Sequence, residues 1–126
     1  MKIAYTAGPY RSKTEWGLYN NIHTARGVAV ILWGMGFGVI CPHANTALFG
    51  GSVNDNDDVA DTDNIWLKGD IEFIKRAVDV LVVLPGWENS SGTKLEIATA
   101  SVKNIPIIYW EDGDLAIEEL KEILKG

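Results

Sequence analysis

The sequence of 126 residues holds one cysteine, Cys41. A single thiol excludes an internal disulfide and fits a reducing compartment. No basic and apolar leader opens the chain, and no apolar run reaches about 18 residues. The expectation is therefore a cytoplasmic protein with no signal peptide and no membrane span. Positive charge is scarce: 11 Lys and Arg against 17 Asp and Glu give a net charge of -6. With no Lys/Arg cluster, this excludes a binder of long nucleic acids, which needs many phosphate contacts. One small anion held by a few local groups stays open.

Familiar motifs are missing as well. Gly86-Trp-Glu-Asn-Ser-Ser-Gly92-Thr93-Lys94 fails as a P-loop, because five residues separate the glycines and Thr precedes Lys. Gly34, Gly36 and Gly38 lie between a helix and a strand, the reverse of a dinucleotide fingerprint. The aspartates at 55, 57, 58, 61 and 63 lack EF-hand spacing, and Cys41-x-His43 has no second pair to complete a metal site. There is no repeat, linker or low-complexity tract.

What is present is an ordinary globular composition, 47% hydrophobic and 22% charged, expected as one domain over residues 1–126. Strands are expected at 1–7, 37–41, 78–84 and 105–110. Helices are expected at 13–35, 62–77, 93–102 and 115–124, with Thr62 or Asp63 capping the second. In helix 13–35 the apolar residues Trp16, Tyr19, Ile22, Ala25, Ala29, Leu32 and Trp33 recur at helical spacing, and burial is expected for Trp16 and Trp33. The polar stretch 43–64 has no period. The alternation implies an α/β fold: three α/β/α layers, flavodoxin- or Rossmann-like, with a parallel sheet of four to five strands in order 2-1-3-4 and helices on both faces. Ligands of such sheets bind outside the C-terminal strand ends, where the strand order reverses.

Three segments converge there. Gly8-Pro9-Tyr10-Arg11-Ser12 follows strand one; Gly8 allows close backbone approach, and Arg11 offers a donor fork for a phosphate beside a helix N-terminus. Read blandly, it is a turn with a solvent-facing Arg. Ser90-Ser91-Gly92-Thr93-Lys94-Leu95-Glu96 enters the helix after the central strand. It suits an anion with a carboxylate at the cleft mouth, or equally a capping box in which Glu96 returns to the backbone at Thr93. Asp70 lies on the helix before that strand, among Ile71, Phe73 and Ile74, and faces either a partly buried edge or solvent. Two carboxylates in one cleft would supply a nucleophile and its acid/base partner, as in retaining glycosidases. Tyr10 and Trp87, or Trp66, are candidates to sandwich a base.

Gly8-x-x-Arg11, Asp70 ahead of Val-Asp-Val-Leu-Val-Val-Leu, and Ser90-x-Gly92-x-x-x-Glu96 resemble the nucleoside 2-deoxyribosyltransferase superfamily, which includes the 2'-deoxynucleoside 5'-monophosphate N-glycosidases. The element order matches over residues 1–110. A fainter similarity, Gly92-Thr93-x-x-Glu96, extends to cytokinin-activating phosphoribohydrolases. The resemblance implies that Glu96 attacks C1' of the sugar and that Asp70 helps the base depart or binds the sugar. It also implies that His43 approaches the base or phosphate. The transferases place an Asp six residues before the nucleophile and the hydrolases a Ser that contacts phosphate; Ser90 follows the hydrolases. The expected ligand is a nucleotide or nucleoside, with phosphate held by Arg11, Ser12, Ser90 and Gly92 and with no metal or organic cofactor. Transfer between bases and nucleotide binding without turnover are the alternatives. The family associates as homodimers or larger homo-oligomers, for which the 97–102 helix face is a candidate.

Overall fold

The structure is a computed structural model describing residues 1–50, 52 and 64–126. Its elements run β1 (Ile3–Ala7), α1 (Glu15–Met35), β2 (Gly38–Ile40), α2 (Pro42–Asn45), α3 (Ile65–Ala77), β3 (Val80–Val83), a 3-10 turn (Trp87–Asn89), α4 (Ser91–Val102), β4 (Ile107–Tyr109) and α5 (Gly113–Lys125). All strand pairs are parallel, in order β2-β1-β3-β4. Four strands therefore form the sheet among the described residues, in the order expected.

The two faces of the sheet carry separate cores, as the two-residue period of a strand requires. Ala4 of β1 and Val80 and Val82 of β3 join Ala25, Val28, Ala29 and Leu32 of α1 and Ala116 and Leu120 of α5. Tyr5 and Ala7 of β1 and Leu81 and Val83 of β3 join Ile74 of α3 and Ala100 of α4 on the opposite face. These are the three layers. Among the described residues no helix is long and apolar enough to cross a membrane.

Chain ends of the elements follow local chemistry. Thr14 caps α1 by accepting from Gly17 N, and Gly36 ends it in the left-handed region at φ 105°, which favours glycine. Asn64 caps α3, accepting from Trp66 and Leu67 N, so the helix starts later than expected. The candidate caps Thr62 and Asp63 lie outside the described residues, as do the aspartates at 55, 57, 58 and 61. A one-turn helix, α2, follows β2 with Pro42 in its first turn.

One expectation is overturned. Trp16 and Trp33 are exposed, along with Tyr19, while α1 buries Ile22, Ala25, Val28, Ala29 and Leu32. The small residues of the buried stripe bring α1 close to the sheet, which leaves the large aromatics on the outward face.

Candidate active site

From β1 the chain turns outward to β2, then crosses back to β3 on the other side of β1. The loops after β1 and β3 therefore part, and a cleft opens between them. Its volume is about 740 Å³, within the range of small-molecule sites. Gly8, Tyr10, Arg11, Ser12, His43, Asp70, Ser90, Gly92 and Glu96 all line it. Trp87 does not.

The two carboxylates reach the cleft from neighbouring helices. On α4, Thr93, Glu96 and Ala100 recur at helical spacing and are all buried, so Glu96 occupies a core-facing place. On α3, Asp70 lies one turn before the buried Ile74 and shares its face. The capping-box alternative does not hold. Ser90 is the N-cap, its Oγ accepting from Thr93 N at 3.2 Å and Thr93 Oγ1 at 2.8 Å. The Glu96 carboxylate instead accepts a short hydrogen bond from the Tyr5 hydroxyl.

Burial dominates the electrostatics. It pushes Glu96 up to about 8, helped by repulsion from Asp70 and opposed by the Tyr5 hydrogen bond. Asp70 is pushed up to about 7, again by burial. Tyr5 is held well above its ordinary value, first by burial and then by the two carboxylates, so it stays a donor. The pair is coupled, and around neutrality it shares one negative charge.

The loop at 8–12 is held from several sides. A Cβ on Gly8 would come within 2.7 Å of Leu84 Cβ, so the close approach here is to the end of β3. Asn21 Nδ2 donates to Tyr10 O at 3.0 Å. The Tyr10 hydroxyl accepts from Leu48 N at 2.8 Å, tying the loop to the segment after β2. Ser12 Oγ sits 3.3 Å from Thr14 N, which donates to it at the start of α1. Arg11 is exposed on the rim.

His43 is buried, and burial lowers its pKa, which favours the neutral ring. Its Nε2 lies 2.9 Å from Pro9 O and donates to it; Nδ1 then has no partner among the described residues. Its direct role is to fasten the loop.

Trp87 is corrected. Its ring packs against the α3/α4-side core and lies 5.5 Å from Tyr109, away from the cleft. Trp66 takes the wall position instead, in edge contact with Phe49 at 5.7 Å, with Leu48 and Leu67 beside it. The sequence reading also missed Tyr5, Asn21 and Asn64. For Tyr5 a signal existed: a buried phenol in an aliphatic strand needs an acceptor. Among the described residues no group of three or more His, Cys, Asp or Glu is placed to hold a metal ion.

Fold and cleft together define a class: a parallel α/β domain with a ligand-sized cleft at the switch point, floored by two buried carboxylates. Residues 35–109 match the family described as a domain of unknown function (DUF4406), and the chain belongs to that family. The match includes His43, Asp70, Ser90, Gly92 and Glu96 and stops short of the 8–12 loop. No curated protein matches the chain.

Proposed function

We propose that the protein hydrolyses the N-glycosidic bond of a deoxynucleoside 5'-monophosphate. The observation that carries this reading is the pair of buried carboxylates in one cleft, with Glu96 held by the Tyr5 hydroxyl. Burial of two acids, neither of them ion-paired among the described residues, is costly to folding and of use mainly to chemistry.

Glu96 attacks C1' as its carboxylate, while Asp70 gives its proton to the departing base. The C1'–N bond breaks, a C1'–O bond to Glu96 forms, and free base leaves. Water, deprotonated by Asp70, then attacks C1' and releases the sugar phosphate, restoring both carboxyl groups. Tyr5 orients Glu96 and steadies its charge in the ionised state.

Ser90 supports a phosphate at the 5' end. Both acceptor positions of its hydroxyl are taken by Thr93, so its proton is left for a ligand oxygen. Ser91 and Gly92 line the cleft at the positive end of α4, and Arg11 and Ser12 stand across it. The base stacks along Tyr10 and Trp66.

The test is incubation with deoxy- and ribonucleoside monophosphates and the matching nucleosides, with free base followed by chromatography. Release from monophosphates in preference to nucleosides, abolished by Glu96→Gln and kept by Thr93→Ala, is expected. Release only when a second free base is added would assign transfer, and release from no substrate would overturn the reading in favour of binding alone.

A further inference from the structure

Beyond the cleft, we infer that α1 is the interface of a symmetric homodimer in which two copies of this helix pack antiparallel. Trp16, Tyr19, His23, Arg26, Val30 and Trp33 follow one another at spacings of three and four residues, the repeat of a helix-packing seam. Trp16 is 71%, Tyr19 57%, Val30 69% and Trp33 58% exposed, so the seam faces outward. Large apolar groups concentrated along one exposed stripe mark an association surface.

The seam has two unlike halves. At the N-terminal half the rings are pre-stacked into a ridge: Trp16 on Tyr19 at 5.8 Å and 19°, and Tyr19 on His23 at 5.9 Å and 9°. Such ordering lowers the entropy cost of docking. Beside the C-terminal half lies a groove of about 510 Å³, walled by Val30 and Trp33 of α1, Ile40 of β2 and Phe73 of α3. A two-fold axis at the seam's midpoint, between His23 and Arg26, seats each ridge in the other copy's groove. Trp16 then meets the partner's Trp33, and Tyr19 meets the partner's Val30. Ridge and groove on one chain, related by one axis, are what an isologous interface requires.

The area is sufficient. At about 200 Å² for an aromatic side chain, the exposed parts of this seam amount to about 500 Å² per chain, so a pair reaches the roughly 1,000 Å² at which interfaces become specific. The seam is flanked by Asn20 and Thr24 rather than Lys, which disfavours a lipid surface. The interface stands apart from the 97–102 face of α4, the other candidate for association.

Sedimentation equilibrium from low micromolar to near-millimolar concentration tests this without any activity measurement. The wild-type chain is expected at twice 13.8 kDa. Val30→Glu and Tyr19→Lys are each expected to raise the dissociation constant by at least about 30-fold, the effect of losing a central anchor. Both positions are exposed, so circular dichroism should report unchanged helix content. Mixing the two variants is expected to restore dimers, because position 30 faces the partner's position 19 and the new charges are opposite. Val102→Glu, at a site 82% exposed on α4, is expected to leave the dimer intact. A wild-type monomer throughout, dissociation by Val102→Glu but not Val30→Glu, or failure of the mixture to recombine would each overturn the proposal.

Discussion

Glu96 shows most clearly how a residue's surroundings set its chemistry. In the unfolded chain a glutamate loses its proton near pH 4.5; in the fold Glu96 keeps it to about 8. Between those values the unfolded state binds fewer protons than the folded state, so rising pH favours unfolding. The stabilising contribution is complete below about 4.5 and is lost as pH climbs through about 8, at up to about 1.4 kcal/mol per pH unit. Asp70 adds the same sign between 3.8 and about 7. Glu96→Gln cannot ionise and can still accept from Tyr5. It should therefore match the wild type in melting temperature near pH 4 and exceed it near pH 8; an equal difference at both pH values would contradict buried ionisation. Gly8 is a second residue-scale case. Gly8→Ala forces its Cβ into Leu84 and should cost about 1–3 kcal/mol in urea unfolding.

At the scale of elements, α4 both closes a helix end and presents the site. Ser90→Ala removes the cap and should cost about 1 kcal/mol of stability together with affinity for a 5'-phosphate. Ser90→Asp keeps a good cap but sets a negative charge against the phosphate. It is expected to retain the melting temperature while raising KM for monophosphates and sparing nucleosides. Loss of stability without that split would make Ser90 a cap alone. Much of this level was legible in the sequence. The apolar run around β3, the glycine stop of α1 and the alternation of elements were sufficient for layers and strand order, because parallel connections have few solutions. Ends were less legible: Ser90 rather than Thr93 caps α4, since the cap depends on where the loop delivers the chain. The burial of α1 was misread because Trp16, Tyr19 and Trp33 share helical spacing with Ile22, Ala25 and Leu32, and spacing alone does not say which stripe faces the sheet. Tyr5 was hidden for a similar reason: its partner lies 91 residues away and meets it only through the fold. Trp87 was assigned by loop position, and its ring turned inward to the core.

For the molecule as a whole, a net charge of -6 is compatible with the proposed phosphate site, because the local field differs from the total. Helix α4 turns its positive end to the cleft, and the two acids beneath share a single charge near neutrality. The proposed working state, Glu96 ionised and Asp70 protonated, is the minor form of that monoanion, because Asp70 near 7 ionises before Glu96 near 8; the Tyr5 hydrogen bond to Glu96 favours it. With apparent values near 7 and 8 for the pair, kcat/KM should be bell-shaped with its maximum between about pH 7 and 8. A flat profile from acid to alkaline pH would exclude the pair as the reacting groups.

In the proposed mechanism Glu96 forms a covalent bond to C1', which two successive displacements make and break. Its most direct measure is the anomeric configuration of the sugar product. Run in a water–methanol mixture, the reaction yields a methyl glycoside whose configuration nuclear magnetic resonance assigns. The β anomer, retained from the β-nucleotide substrate, is expected; the α anomer would show a single displacement by solvent and contradict a nucleophilic Glu96.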